Sequence, residues 1–121
     1  MDGLEDLPLP GPFSRWDSRN NRLAWLALNQ DGIPEAIAAM VERHGADRVA
    51  VVVGTSTSSI GATEDAYANL DDGAFPADLA RADVHTPHSL GEFVQHATGL
   101  RGPAITVATA CSSSAKVFAQ A

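Results

Sequence analysis

The sequence is poor in cysteine. One thiol among 121 residues excludes an internal disulfide and a Cys-rich zinc site, and fits a reducing, cytoplasmic setting. Long apolar runs are missing as well. No stretch approaches the roughly 18 consecutive apolar residues of a membrane span, and no basic start followed by an apolar run marks a signal peptide. Positive charge is scarce: eight Lys and Arg stand against fifteen Asp and Glu, a net charge of −7. That balance argues against a nucleic-acid-binding surface and favours solubility. Two nucleotide signatures are absent. Gly54 and Gly61 bracket a hydroxyl-rich loop with no lysine after it, so it is not a P-loop, and no G-x-G-x-x-G occurs to hold a dinucleotide. There is no internal repeat or low-complexity tract.

What remains is a globular composition, 45% hydrophobic and 19% charged with ten glycines. The length allows one domain that buries about two thirds of its unfolded surface. Residues 1–17, with prolines at 8, 10 and 12, read as an extended surface lead-in. Residues 18–30 read as a helix capped by Ser18 or Asn20, with Leu23, Trp25, Leu26 and Leu28 on its apolar face. After Asp31-Gly32-Ile33-Pro34, residues 35–44 form a second helix or a kinked continuation. Ile37, Met40 and Val41 give it core patterning, and Gly45 closes it in the left-handed position. Residues 48–53 form a strand with little alternation, expected to be central, parallel and covered on both faces.

The loop from Gly54 to Gly61 reads either as a hydroxyl-lined edge of a cleft or as a helix cap with solvated hydroxyls; the second is the simpler. A helix over 60–70 is expected to turn Tyr67 and Leu70 inward, with Asp71-Asp72-Gly73 ending it. The carboxylates Glu64, Asp65, Asp71, Asp72, Asp78 and Asp83 lack calcium-loop spacing, and His85 and His88 lack the partners of a zinc site. No metal is expected. Residues 75–87 read as irregular. Ser89-Leu90-Gly91-Glu92 has the pattern of a capping box, opening a helix over 89–98 with Leu90, Phe93, Val94 and Ala97 on one side. Gly99 stops it. This alternation of helix and strand is α/β logic.

The stretch around the single cysteine carries the chemistry. Residues 104–108 form a buried strand that runs into a helix containing Ala115, Val117, Phe118 and Ala119, with Ser112 to Ser114 in its first turn. Cys111 stands at the junction. A helix start favours negative charge, and so a thiolate, while its unpaired N–H groups can stabilise a developing oxyanion. That combination suits acyl transfer through a thioester. The alternative is that Cys111 is a small buried hydrophobe.

Arg101-Gly102-Pro103, the apolar strand after it and Thr109-Ala110-Cys111-Ser112-Ser113 resemble the nucleophile region of the β-ketoacyl-[acyl-carrier-protein] synthases. Arg48-Val49-Ala50-Val51-Val52-Val53-Gly54-Thr55-Ser56-Thr57-Ser58 resembles the strand and polar loop that precede that nucleophile in the same family. The overlap is with the N-terminal half of the enzyme. The resemblance implies a partial thiolase-like α/β fold, layered helices around a mixed sheet, incomplete at both ends; Met1 is expected to be a start placed inside a longer sequence. It implies Cys111 as the acylated nucleophile, its backbone N–H as an oxyanion donor and Ser112 and Ser113 at the helix start beside it. Neither metal nor redox cofactor is required.

By the same resemblance the partner is an acyl carrier protein bearing acyl and malonyl groups. Carrier proteins are acidic and synthases meet them with a basic patch, which this acidic segment scarcely supplies. The intact protein is expected to be a dimer of like or unlike subunits, paired through residues 104–108. The family's two catalytic histidines, its lysine and its second oxyanion donor lie downstream of the cysteine, so His44, His85, His88 and His96 inherit no role. The 121 residues alone are therefore expected not to condense substrates. Three alternatives stay open: a thiolase-fold acyltransferase using coenzyme A thioesters, a non-catalytic dimerising fragment, and a cysteine hydrolase, which needs a histidine against Cys111. The family's chain-length-setting partner subunits lack the cysteine.

Overall fold

The computed structural model describes Gly3, residues 7–77 and residues 79–121. Expectations that fall on residues 1–2, 4–6 and Asp78 lie outside the described residues. Pro12 lies in the first turn of a 3-10 helix, Gly11–Trp16, where its fixed φ is tolerated and its missing N–H costs nothing. This turn carries Trp16 into the core, 2% exposed, in the same cluster as the buried Leu9. The lead-in is thus not merely an extended surface segment. Burying side chains of this size stabilises by about 1.5–3 kcal/mol each, which outweighs the local preference of the prolines for extended chain.

Helix α1 spans Arg19–Leu28 and is capped by Ser18, whose Oγ accepts the Asn21 N–H at 3.3 Å. Gly32, at φ +77°, opens α2, Ile33–His44, with Pro34 in its first turn. Gly45, at φ +83°, closes it and donates to the Val41 carbonyl at 2.8 Å. A 3-10 turn, Ala46–Arg48, delays the expected strand, so β1 runs Val51–Gly54. Helices α3, Ile60–Ala68, and α4, Ala82–His85, follow, then α5, Ser89–Thr98. Strand β2, Ala104–Val107, leads through a 3-10 turn, Ala110–Ser112, into α6, Ser113–Gln120.

The two strands are parallel, in register from Val51 opposite Ala104 to Gly54 opposite Val107. Helices α5 and α6 each pack on both strands, and α1 packs on α5. The core joins Leu9, Trp16, Val51, Leu90, Phe93, Val94 and Leu100. Phe93 is fully buried and meets Phe13 edge-on at 6.0 Å and Trp25 at 6.5 Å. Leu90, Phe93 and Val94 occupy the inner side of α5 as their spacing predicts. Among the described residues no helix is long and apolar enough to cross a membrane.

Three expectations are corrected. The strands are covered only in part: α5 and α6 both pack on the sheet, yet Val52 and Val53 are half-buried and Ile105 is 37% exposed, because among the described residues the sheet has two strands and few elements to sandwich it. Tyr67 and Leu70 do not turn inward. Ala66 is the buried residue of α3 and Tyr67 is 62% exposed, since α3 packs on the short α4; Tyr67 instead meets Phe75 edge-on at 5.0 Å. The capping box does not form. Ser89 lies inside the first turn of α5, and its buried Oγ accepts the Asn21 Nδ2–H at 2.9 Å.

Candidate functional site

Because β1 and β2 are parallel, their carboxyl ends meet at one edge, and the loops that leave them emerge side by side. Ligands of open α/β sheets bind beyond such an edge. The Thr55 N–H donates to the Val107 carbonyl at 3.0 Å, which ties the β1 loop to the end of β2. Thr55 is buried, and its Oγ1 accepts the Ser58 N–H at 2.9 Å. Ser59, also buried, sends its hydroxyl to Ser18 Oγ at 2.9 Å and makes no side-chain cap on α3. Ser56 and Thr57 are exposed as a solvated loop would have them, but Thr55 and Ser59 are not: their buried oxygens tie the loop to itself, to Ser18 and to Ser113.

Gly54 lets α6 come down on the strand end. A Cβ at this position would lie 2.9 Å from Val117 Cγ2 and 3.4 Å from the Ser113 backbone. The result is an open cleft of about 500 Å³ lined by Asn20, Gly54, Thr55, Ser56, Ala110, Cys111, Ser113 and Ser114. Cys111 is exposed in it, within the 3-10 turn that immediately precedes α6. Its N–H belongs to a first turn, where N–H groups have no partner inside the helix. The turn is bent sharply: Ala110, just before the cysteine, sits at φ +51°, a region non-glycine residues seldom occupy. Within this chain Cys111 is thus not packed in the core.

Ser112 and Ser113 brace the same turn. Ser112 Oγ donates to the Thr109 carbonyl at 2.8 Å. Ser113 Oγ, almost fully buried, accepts the Thr109 N–H at 2.9 Å and lies 2.9 Å from the Thr55 carbonyl. The arrangement presents one thiol, at a helix start, to a cleft walled by backbone and hydroxyl groups. Such a site fits attack on an electrophilic carbonyl more readily than ion binding.

Residues 19–121 match the family model described as the β-ketoacyl synthase N-terminal domain. The chain belongs to the β-ketoacyl synthase family. Among solved structures it is similar to a ketosynthase (ApeO) from Xenorhabdus doucetiae, determined in complex with its chain length factor (ApeC). The TM-score is 0.75 and the identity 29%, over 94% of this chain and 29% of that one. The chain thus spans under a third of that ketosynthase. No curated protein matches it. The thiolase-like architecture expected from the sequence is what the structural likeness shows, in part form and with a small parallel sheet.

For a β-ketoacyl synthase segment, the placement of the histidines matters. None lines the cleft of Cys111. His85 bridges Thr63 Oγ1 at 2.9 Å and the Leu79 carbonyl at 2.7 Å, His88 faces Thr106 Oγ1 at 3.3 Å, His96 stacks on Trp16 at 4.7 Å, and His44 ends α2. None of these four histidines stands against Cys111, the placement a cysteine hydrolase would need. Among the described residues no three His, Cys, Asp or Glu side chains gather in a metal-binding group. Sequence reasoning missed Asn20, named only as a cap, as a wall of the cleft. The glycine at the end of β1 was the available signal for the close approach of α6.

Proposed function

We propose that this chain is the N-terminal part of a 3-oxoacyl-[acyl-carrier-protein] synthase and that Cys111 is its acylated nucleophile. The observation that carries this reading is the exposed thiol of Cys111 on a sharp turn at a helix start, in a cleft at the carboxyl ends of both strands. The family match supports it.

In the proposed reaction Cys111 Sγ attacks the carbonyl carbon of an acyl thioester. The Cys111 N–H stabilises the oxyanion. The carbon–sulfur bond to the donor breaks, and the donor departs as a free thiol with the proton lost from Cys111. A malonyl thioester then loses carbon dioxide, and its carbanion attacks the acyl-cysteine. A β-ketoacyl thioester forms and the Cys111 thiolate is released. Neither metal nor redox cofactor is needed. The donor is an acyl carrier protein in cytoplasmic fatty acid or polyketide-type synthesis, and the intact enzyme is a homodimer or heterodimer. Acceptance of an acyl group needs Cys111 and its turn. Condensation also needs the histidines and lysine that the family carries downstream, so the present chain is expected to be modified without releasing β-ketoacyl product.

Cerulenin, an electrophilic inhibitor that alkylates the free thiol of a cysteine that would be acylated, tests the reading. Peptide mass mapping should find it on Cys111 in the folded chain, at least tenfold faster than in the urea-unfolded chain, and nowhere in Cys111→Ala. Equal rates in folded and unfolded chain would make the thiol an ordinary one and remove the proposal.

A further inference from the structure

We infer that Ser113 is a positioning residue for Cys111, acting by pinning both ends of the turn that carries the thiol. The inference rests on the acyl-transfer reading above. Ser113 is 3% exposed, although it opens a helix beside an open cleft. Its Oγ accepts the Thr109 N–H at 2.9 Å. The hydroxyl has one proton and two carbonyls in range, Thr55 at 2.9 Å and Ala110 at 2.8 Å. The Ala110 carbonyl already receives the Ser113 backbone N–H. The Thr55 carbonyl is the acceptor with more to gain, and its bond to Ser113 is the buried one of the two.

One hydroxyl thus joins Thr109, two residues past the end of β2, the loop that leaves β1, and the first residue of α6. Cys111 lies between the pinned points. Ala110 is held at φ +51° within the same loop of chain; a non-glycine residue stays there only when its surroundings over-determine it. Ser112 does not do the same work. It is exposed, and both its hydroxyl contacts are to Thr109, so it makes no link to β1. Removal of the Ser113 hydroxyl frees the turn to relax. The thiol stays exposed, but its sulfur and the neighbouring N–H lose their fixed relation to a bound carbonyl. Acyl transfer depends steeply on that geometry, on the order of a hundredfold for a misplacement of about 1 Å, whereas simple alkylation depends on access.

The split between those two reactions is the test. Wild type, Ser113→Ala, Ser113→Thr and Val94→Ala are incubated with hexanoyl-N-acetylcysteamine, and separately with iodoacetamide, and modification of Cys111 is followed by intact mass. Val94→Ala weakens the core away from the cleft and serves as the control for general destabilisation. Ser113→Ala is expected to be acylated at least tenfold more slowly than wild type and alkylated within about threefold of it. Val94→Ala should match wild type in both. Ser113→Thr, which keeps the hydroxyl, should recover most of the acylation rate. Equal acylation of Ser113→Ala and wild type overturns the inference, as does a parallel fall in acylation and alkylation. Should Ser113→Ala fail to fold, a folded Ser113→Thr as slow as a tenfold loss overturns it, and recovery of the rate upholds it. Wild type left unacylated sinks the acyl-transfer reading itself, and the role of Ser113 with it, a result distinct from any loss confined to the variant.

Discussion

Asp17 shows how much one side chain can fix in a chain of this size. Its Oδ1 accepts the Arg22 Nε–H at 2.7 Å and the Leu9 N–H at 3.1 Å, and its Oδ2 accepts Arg22 Nη2 at 2.6 Å. Arg81 reaches its carbonyl at 2.6 Å. The Arg22 hydrogen bond, with the Leu9 N–H and the charges of Arg22 and Arg81 behind it, holds the Asp17 carboxyl below its ordinary value of 3.8 against the opposing effect of burial. A carboxylate depressed in the folded state stabilises the fold fully above its unfolded pKa and loses that contribution as pH falls through the folded value. Asp17→Asn should therefore cost about 1–2 kcal/mol at neutral pH, with the gap to wild type narrowing below about pH 4. Urea titrations at neutral and acid pH check this, and a gap unchanged by acid would contradict it. At this scale the sequence was legible where chemistry is local. Cys111 announced itself by type and position. Ser113 did not, because three successive serines at a helix start look alike, and what separates Ser113 is a bond to Thr55, 58 positions away. Asn21 was hidden for the same reason: a polar residue in an amphipathic helix, fully buried through bonds to the Trp16 carbonyl and Ser89.

Two helical glycines differ in what surrounds them, and the same substitution should have opposite signs at the two. Gly91 sits inside α5 where Thr106 of β2 docks: Thr106 Oγ1 accepts the Gly91 N–H at 3.1 Å, and a Cβ at Gly91 would collide with that oxygen. Gly61 sits inside α3 with ordinary helical φ and nothing within 4 Å of a Cβ. Gly91→Ala should destabilise by about 1–3 kcal/mol through overpacking, despite the helical preference of alanine. Gly61→Ala should stabilise by up to about 1 kcal/mol. Thermal unfolding of the two variants measures both, and a stabilised Gly91→Ala would mean that α5 is not seated on β2 as described. Helix ends were readable beforehand because their causes lie within a few residues: Gly45 and Gly99 take positive φ and stop α2 and α5. The cover over the strands was not readable. Valine-rich strands look alike whether or not other elements are there to bury them, so β1 and β2 were expected to be sealed and are partly open. The capping box failed for a related reason. Ser89 had a better partner in Asn21 than in its own helix.

Over the whole molecule, apolar surface and charge pull in opposite directions. Phe118 is 86% exposed, and Ile60, Met40 and Ile105 are exposed with it. Each strand of the two-stranded sheet has its outer edge unpaired among the described residues, and such edges invite pairing with another chain. Exposed side chains of this kind favour association. A net charge of −7 opposes it, since copies of the chain repel one another. Salt decides between the two. Added salt shortens the Debye length to about 8 Å at physiological ionic strength and removes most of the repulsion, while the apolar surface remains. Self-association should therefore rise with protein concentration and rise further with sodium chloride, the reverse of an assembly held by ion pairs. Sedimentation velocity across both variables checks it, with Phe118→Ser expected to lower the associated fraction at every salt concentration. A sharp unfolding transition independent of concentration, from a species that stays monomeric in high salt, would show that these exposed faces carry no drive to associate.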